Sequence, residues 1–235
     1  MSRKSPLLIS RWSWFKRGDF LLIIGDDASG RIPALIFSEF LRKVNEKTDK
    51  KRPKTIFIAG GTRDLWGEEG ERIRSEKKER IADLLKKIES TIGDELRRKV
   101  STLIVTDTLS RGQTLMPLTK ALRELEIPFY IATISLTHGR PDIKEKQLGG
   151  KVFYGKEDIP SIWEKYSLGG VKRAGGPQSL HSKPIKPGEK FRETFEWVYP
   201  KENFDEMRKR VQEVINEART DINILVERLL NKFGA

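Results

Sequence analysis

The sequence of 235 residues contains no cysteine and only two histidines, His138 and His181. Without thiols the chain can form neither a disulfide framework nor a thiolate metal site, and two histidines argue against a histidine-ligated metal. Long apolar runs are also lacking, because the longest, such as residues 20–24, are far too short to span a bilayer. No signal-peptide-like apolar segment precedes Arg11. These absences predict a cytoplasmic protein without membrane contact.

Positive charge, in contrast, is abundant. The formal net charge of +12 suits polyanionic ligands such as phosphates, nucleotides or nucleic acid. Residues 1–18 carry five basic and no acidic residues, interleaved with Trp12, Trp14 and Phe15. This segment can either stack on nucleic-acid bases or pack its tryptophan rings on the core. A second basic cluster, residues 42–54, is expected to be a solvated loop between a helix and a strand.

Short apolar runs alternate with amphipathic segments along most of the chain. Strands are predicted at residues 19–24, 55–59, 102–105, 128–135 and 152–154, with a further edge strand at 194–199. Helices are predicted from about Pro33, over 69–89 and from Leu115. The helix over 69–89 is expected to bury Ile73, Ile81, Leu84, Leu85 and Ile88. The alternation predicts an α/β fold with a doubly wound, mainly parallel sheet of five to six strands between two helical layers.

Composition divides the chain into four parts. A basic, aromatic N-terminal segment (1–17) precedes the α/β core (18–163), which is followed by a Gly/Pro-rich basic arm (164–202) and a C-terminal helix (203–233). Asn203 and Glu206 form a capping-box pattern at the start of this helix. Its apolar positions recur every three or four residues: Phe204, Met207, Val211, Val214, Ala218, Ile222, Leu225 and Leu229. This face either docks on the core of its own chain or pairs two subunits into a homodimer.

Two stretches of the core have the pattern of phosphate-binding loops. In the first, a buried strand reaches Thr106 and Asp107, small residues follow at Ser110, Gly112 and Thr114, and a helix begins. Backbone N–H groups and the helix dipole at such a turn favour an anion, and the nearby carboxylate can accept hydrogen bonds from sugar hydroxyls or hold a divalent cation.

The second stretch, residues 23–34, follows the first strand. Ser29 and Gly30 can present N–H groups there, and Arg31 can pair with phosphate oxygens. If the first strand lies at the sheet centre, with the second strand and the Asp107 strand on either side, both loops meet at the switch point where open α/β sheets bind ligands.

Residues 103–114 resemble the phosphoribosyl-pyrophosphate (PRPP) loop of type I phosphoribosyltransferases, which is four apolar residues, two acids, two apolar residues and Thr-Thr-Gly-Gly-Thr. Asp107, Gly112 and Thr114 match this form, whereas Thr106, Arg111 and Gln113 depart from it. Residues 23–34 resemble the pyrophosphate loop of the same family, a small Gly-rich turn followed by Pro-Ala and an apolar helix. The resemblance covers residues 18 to 160.

The resemblance implies a phosphoribosyltransferase-like fold and a protein that binds PRPP with Mg²⁺, transfers the phosphoribosyl group to an acceptor and releases pyrophosphate. It implies that Asp107 and Arg31 are catalytic, that Thr106 and Asp107 bind the ribose, and that Asp107 reaches the metal through the ribose or water. The implied 5′-phosphate ligands are Ser110, Arg111, Gly112, Gln113 and Thr114. The implied pyrophosphate ligands are Asp27, Ala28, Ser29, Gly30 and Arg31, with Arg63 on a short lid.

Two departures leave other functions open. Thr106 stands where the family has an acid, and residues 62–99 are predicted to be mainly helical where the family carries a flexible catalytic hairpin. Both favour a non-catalytic regulator that senses PRPP or a nucleotide and binds RNA or DNA. A third hypothesis is an interaction protein that assembles through its C-terminal helix. The acceptor is not predicted, because no segment outside the core resembles a known acceptor-binding hood.

Overall fold

The computed structural model describes residues 20–26, 30–47, 49–58, 67–137, 140–157 and 204–233. Five strands lie in these ranges: β1 (Leu22–Asp26), β2 (Lys54–Ile58), β3 (Thr102–Leu109), β4 (Phe129–Leu136) and β5 (Lys151–Glu157). The helices are α1 (Arg31–Lys47), α2 (Gly67–Ile92), α3 (Glu95–Arg98), α4 (Met116–Glu124), α5 (Pro141–Leu148) and α6 (Phe204–Phe233). The predicted N-terminal segment, the basic arm and the edge strand at 194–199 lie outside the described residues.

The five strands form one parallel sheet in the order β2-β1-β3-β4-β5. From β1 the chain crosses to β2 on one side and later returns to β3 on the other side. The register places Gly25 of β1 opposite Phe57 of β2 and opposite Val105 of β3. The predicted α/β fold is therefore confirmed, and β1 lies between β2 and β3 as predicted, although the middle strand of the five is β3 and not β1.

Strand β3 is longer than its sequence predicts. The polar run that begins at Thr106 interrupts the apolar pattern, so the predicted strand stops at Val105. The backbone ladder nevertheless continues, because Thr108 and Leu109 pair with Ser135 and Leu136 of β4. In a parallel sheet covered on both faces, this pairing maintains the strand even where polar side chains interrupt the apolar run. Helix α1 likewise begins two residues before Pro33, which the first helical turn tolerates.

Two helical layers cover the sheet. One face packs against α2, α3, α4 and α5 through side chains that include Leu22, Ile24 and Ile104 of the central strands. The opposite face packs against α1 and α6 through Ile23, Leu103 and Val105. Within α2, Ile81, Leu85 and Ile88 are buried as predicted, Ile73 is half-buried, and Leu84 is 41% exposed, against the prediction. No helix among the described residues is long and apolar enough to cross a membrane.

The second half of α6 docks on the core of its own chain. Ile222, Val226 and Leu230 are buried in the cluster that contains α1. Leu225, predicted to lie on the apolar seam, is 41% exposed. Leu229, which was also predicted on the apolar face, is half-buried and packs against the same cluster. Of the two arrangements predicted for this helix, docking on its own chain is the one that the structure has for Ile222, Val226 and Leu230.

Candidate ligand site at the carboxyl edge of the sheet

The carboxyl ends of β1 and β3 lie side by side at the point where the strand order reverses. Asp26 ends β1 and is 7% exposed, and Thr106 and Asp107 of β3 are 1% and 4% exposed. Because Gly25 pairs with Val105, Asp26 and Thr106 are at neighbouring positions across the two strands. A crevice outside such a switch point is where open α/β sheets bind their ligands. The two predicted loops therefore follow neighbouring strands at the same edge of the sheet.

Gly30 presses the loop after β1 against β3. Its N–H donates a hydrogen bond to the Asp26 carbonyl oxygen at 2.5 Å, and its own carbonyl accepts one from the Ala34 N–H at 2.8 Å. A Cβ atom at Gly30 would lie 2.0 Å from the Val105 carbonyl oxygen and 2.5 Å from the Asp26 nitrogen. Only glycine allows an approach this close between the turn and the neighbouring strand.

Arg31 begins α1 directly after this turn. Its side chain is half-buried, and its guanidinium carbon lies 4.8 Å from the centroid of the Phe57 ring. Contact of a guanidinium with an aromatic face restricts the arginine while leaving the hydrogen-bond donors at the edge of the guanidinium plane for other partners. The arginine thus stands at the edge where the sequence predicts pyrophosphate. Its neighbours Asp27, Ala28 and Ser29 lie outside the described residues.

Thr106 and Asp107 belong to opposite faces of the sheet because they are consecutive residues of one strand. Thr106 lies two residues after Ile104 on β3, so both side chains are on the face covered by α2, α3 and α4. The Thr106 hydroxyl lies 3.5 Å from the Thr108 carbonyl oxygen. Asp107 follows the parity of Val105 and faces the α1 layer. The hydroxyl of Thr133 on β4 lies 3.1 Å from the Asp107 carbonyl oxygen and 2.8 Å from that of Ser135, which ties the ends of β3 and β4 together.

The loop from Ser110 to Thr114 connects β3 to α4. Ser110 and Thr114 are half-buried, Arg111 and Gln113 are exposed, and Gly112 is buried with a φ of 75°. Gly112 thus occupies the left-handed region that favours glycine. Its carbonyl accepts a hydrogen bond from the Leu115 N–H at 3.1 Å, which begins the turn leading into α4.

Two features define the start of α4. Pro117 lies in its first turn, and in this described part of the chain no side-chain hydrogen bond caps the helix. The N–H groups of Leu115 and Met116 already donate to the Gly112 and Gln113 carbonyl oxygens, and proline has no N–H. The helix dipole, with its positive partial charge, is therefore the feature of this turn that suits the anion predicted at residues 110–114.

Helix α5 supports the same loop from the side. The Gln147 side-chain amide donates a hydrogen bond to the Arg111 carbonyl oxygen at 3.0 Å. A Cβ atom at Gly112 would lie 3.4 Å from Cδ2 of Leu148, so Leu148 packs directly against the turn. The sequence pattern of residues 141–148 does not predict this helix, and it does not predict the contact of these residues with the loop.

Helix α2 supplies a cation that the sequence analysis missed. Lys77 is half-buried, and burial lowers the pKa of its ammonium, while the nearby Asp26 carboxylate acts in the opposite direction. Arg74 and Lys77 lie on the same face of α2 as Ile81 and Leu85, nearer the N-terminus of the helix. In the sequence, this face is visible as a row of apolar residues that becomes basic at its N-terminal end.

The described residues contain no group of three or more His, Cys, Asp or Glu side chains that could hold a metal ion. Asp26 and Asp107 belong to different strands and, by the alternation of their strands, to different faces of the sheet. The predicted lid residue Arg63 lies outside the described residues, as does His138 at the end of β4.

No protein-family model and no curated protein matches this chain. Among solved structures, the chain is similar to a purine phosphoribosyltransferase from Pyrococcus horikoshii Ot3, with 19% identity and a TM-score of 0.32 over 66% of this chain and 89% of the other. At this identity and TM-score the likeness carries no argument about the fold or the activity of this chain.

Proposed function

We propose that the protein binds PRPP as its Mg²⁺ complex and transfers the phosphoribosyl group to an acceptor, releasing pyrophosphate. The observation that supports this most is that β1 and β3 are neighbours at the switch point, so that both phosphate-type turns follow the same edge of the sheet, with Asp107 near the carboxyl end of β3. A ligand with a phosphate at each end of a ribose matches this order of groups. One turn takes the 5′-phosphate, the carboxylate takes the ribose hydroxyls and the other turn takes the pyrophosphate.

In this reaction the bond between C1 of the ribose and the pyrophosphate oxygen breaks, and both electrons leave with pyrophosphate. The acceptor's lone pair forms the new bond to C1, through a transition state with oxocarbenium character. Catalysis then requires groups that stabilise the leaving charge and hold the ribose in place. Arg31 at the start of α1 is positioned for the leaving group, and Asp107 is positioned for the ribose.

Carboxylates beside a pyrophosphate raise an electrostatic problem, because like charges repel. Lys77 offsets this at Asp26, since the two groups interact favourably across the α2 side of the site. Mg²⁺ bound to PRPP reduces the remaining repulsion as part of the substrate complex. The second loop carboxylate, Asp27, is outside the described residues.

The test is calorimetric titration with PRPP, with and without Mg²⁺, on the wild type and on Asp107→Asn. This substitution keeps the size of the side chain but removes its charge and part of its accepting capacity. A charged hydrogen bond contributes about 1.5–3 kcal/mol, so we expect PRPP to bind roughly ten- to a hundredfold more weakly. Wild-type binding should strengthen with Mg²⁺.

Asp83→Asn is the matched control, because Asp83 is an exposed aspartate of α2 whose nearest ion-pair partner, Lys86, is 3.8 Å away. Its PRPP affinity should equal that of the wild type. Thermal unfolding of both variants separates loss of binding from loss of fold. Absence of any PRPP binding by the folded wild type would refute the proposal.

A non-catalytic sensor is the second candidate, and the continuous helix α2 favours it. In the interval where type I phosphoribosyltransferases carry a flexible catalytic hairpin, residues 67–92 form one helix. PRPP binding without pyrophosphate release, over a panel of nucleobase acceptors, would favour the sensor. A nucleic-acid affinity that falls steeply as the salt concentration rises would then indicate that the sensor acts by binding nucleic acid.

A further inference from the structure

The amino edge of the sheet, opposite the candidate ligand site, carries a dense group of exposed cations. Two segments form this surface, the basic edge: the described residues from the end of α1 to the start of β2, and those from the end of α3 to β3. Its cations are Lys47, Lys50, Lys51, Arg52, Lys54, Arg98 and Lys99. The acids of the same surface are Asp49, Asp94 and Glu95, so positive charge exceeds negative charge by four.

Strand β1 holds the two segments side by side. The Lys54 N–H donates a hydrogen bond to the Leu21 carbonyl oxygen at 2.8 Å. The next residue, Leu22, is opposite both Lys54 of β2 and Thr102 of β3. Lys54 and Thr102 are therefore two strand spacings apart, about 10 Å. Because Lys99 precedes Thr102 by only three residues, the cations of both segments belong to one surface along the starts of β2, β1 and β3.

The end of α1 fixes the backbone of the loop that leads to β2. The Asn45 side-chain amide donates to the Lys51 carbonyl oxygen at 2.7 Å, and the Lys50 N–H donates to the Asn45 carbonyl oxygen at 3.0 Å. Asn45 is buried, as is Pro53 within the loop. A loop held in this way presents its cations at a fixed spacing, so less conformational freedom is lost when a ligand binds.

Several of these charges are available to a ligand. In the part of the chain that the structure describes, Lys51, Lys54, Arg98 and Lys99 form no ion pair, whereas the neighbouring Arg97 pairs with Glu89. Beyond β3 the same edge carries exposed charges of both signs, namely Arg123, Glu124, Glu126 and Lys151. The surplus of positive charge is therefore confined to the starts of β2, β1 and β3.

The chemistry of the basic edge distinguishes between classes of partner. The large apolar side chains that are exposed in the described structure, Leu35, Leu84, Ile143, Ile224 and Leu225, all lie elsewhere. Protein interfaces contain an apolar, aromatic centre, and membrane binding buries apolar side chains in the lipid. Interfaces with nucleic acid are polar and strongly positive, as this surface is.

The described residues of the basic edge also include no aromatic side chain. Binding of single strands relies on aromatic rings on which unpaired bases stack, so this surface suits a duplex, whose bases are already stacked. We propose that the basic edge binds the phosphate backbone of double-stranded nucleic acid without reading its sequence. Backbone contacts from lysine and arginine supply this kind of binding.

This inference does not rest on the proposed function, because the two sites lie at opposite ends of the strands. Strand β3 has eight residues, which separates the basic edge from the candidate ligand site by roughly 23 Å. A duplex at one edge therefore leaves the other edge open to a small ligand.

The test is fluorescence anisotropy with labelled DNA and RNA duplexes of about 20 base pairs, two helical turns. The variant Lys51→Gln/Lys54→Gln/Arg98→Gln removes three charges from both segments of the basic edge. At about 0.1 M salt we expect it to bind on the order of a hundredfold more weakly than the wild type, since three phosphate contacts are lost. The slope of log K against log salt should become shallower by about three.

The matched control is Lys120→Gln/Lys146→Gln/Arg228→Gln, which removes the same three charges from exposed positions on α4, α5 and α6. Its duplex affinity should stay within about threefold of the wild type, because only long-range, screened charge is lost. Equal weakening by the two variants, or no binding of either duplex by the wild type at about 0.05 M salt, would overturn the proposal.

Polyglutamate is the competitor that tests for an acidic protein partner. A duplex carries one charge per about 1.7 Å of its axis, a higher density than an extended peptide can reach. Polyglutamate at the same total charge should therefore compete poorly with the labelled duplex. Competition equal to that of unlabelled duplex would show that the surface does not select nucleic acid, and the proposal would be wrong.

A second measurement covers a variant that fails to fold. Reductive methylation of the wild-type protein, read by mass spectrometry, should label Lys51, Lys54 and Lys99 less when duplex is present. Labelling of Lys120 and Lys146 should not change. Unchanged labelling of all five lysines at saturating duplex would contradict the assignment of the surface.

Titration with PRPP separates this inference from the proposed function. The folded basic-edge variant should bind PRPP like the wild type. If the wild type binds a duplex through the basic edge but does not bind PRPP, the inference stands and the transferase proposal fails. If it binds PRPP with Mg²⁺ but no duplex, the transferase proposal stands and the inference is wrong.

Discussion

Gly30 is the residue on which the contact between the turn after β1 and strand β3 depends. No positive φ is involved, so the constraint is steric: the atoms that a Cβ would strike are backbone atoms of Val105 and Asp26, which cannot rotate away. We expect Gly30→Ala to destabilise the protein by about 3 kcal/mol or more, at or above the upper end of ordinary overpacking. Chemical denaturation measures this change, and PRPP binding should fall with it.

Gly67→Ala is the comparison for this prediction. Gly67 has a φ of 68°, and a Cβ there would meet no atom within 4 Å. Its substitution carries only the left-handed backbone cost of about 1–2 kcal/mol. Equal destabilisation by the two variants would show that the loop moves to accept a side chain, and that the contact with β3 is not required.

Among single residues, the sequence predicts those whose chemistry differs from their surroundings. Asp107 after an apolar strand and Gly112 within a polar turn stand out for this reason, and the structure has them at the predicted edge of the sheet. Lys77 does not stand out, because it is one of four lysines in α2 and only tertiary packing decides which of them is half-buried near Asp26.

At the scale of elements, helix α2 packs in the core and also reaches the candidate ligand site. Its buried stripe is apolar over the sheet and becomes basic at Lys77, near Asp26. The pKa of Lys77 lies below its ordinary value of 10.5, chiefly because of burial, and Asp26 limits the decrease. We therefore expect Asp26→Asn to lower the pKa of Lys77 further, as measured by NMR titration of the lysine side chain.

The sign of the accompanying pH effect follows from proton counting. Between the lowered pKa and 10.5 the folded state binds fewer protons at Lys77 than the unfolded state does, so the free energy of unfolding contributed by this group rises with pH in that interval. Asp83→Asn should leave the titration unchanged. A pKa for Lys77 that does not respond to Asp26→Asn would contradict the coupling between α2 and the end of β1.

Strands with a continuous apolar pattern can be predicted closely from the sequence, whereas elements without such a pattern cannot. Strands β1 and β4 are nearly continuous apolar runs, and their predicted bounds lie within three residues of the observed ones. The end of β3 and the whole of α5 were not predicted. The first depends on ladder pairing with β4, and the second has only one buried apolar residue, Leu148, to mark its inner face.

At the scale of the whole molecule, α6 completes the layer that α1 begins. Ile222 is 7% exposed in that layer, whereas Ile224, two residues later, is 47% exposed. We expect Ile222→Ala to reduce the free energy of unfolding by about 2–4 kcal/mol, the usual range for truncating a buried isoleucine. Ile224→Ala should change it by no more than about 0.5 kcal/mol. Denaturant titration of the two variants measures both.

Similar small effects from the two substitutions would mean that α6 does not dock on α1 in solution. The two variants are comparable because each substitution removes the same atoms from an isoleucine of the same helix. A large effect from Ile224→Ala alone would instead indicate that the exposed face of α6 is covered in solution.

The overall architecture could be predicted because alternating strands and helices leave few ways to arrange a parallel sheet. The docking of α6 could not. Its apolar positions fit a coiled-coil seam as well as a core face, and only contact with α1 distinguishes them. That contact joins parts of the chain far apart in sequence, as in the ion pair of Lys43 with Glu227, whose partners are 184 residues apart.

The distance along the chain between α1 and α6 also has a consequence for biosynthesis. Ribosomes deliver α1 and the central strands first, whereas the residues that cover α1, from Ile222 to Leu230, emerge only after about 190 others. During that delay Phe40, Leu41 and Val44 have no α6 to pack against. The nascent chain therefore exposes an apolar surface to solvent until translation has passed the end of this helix.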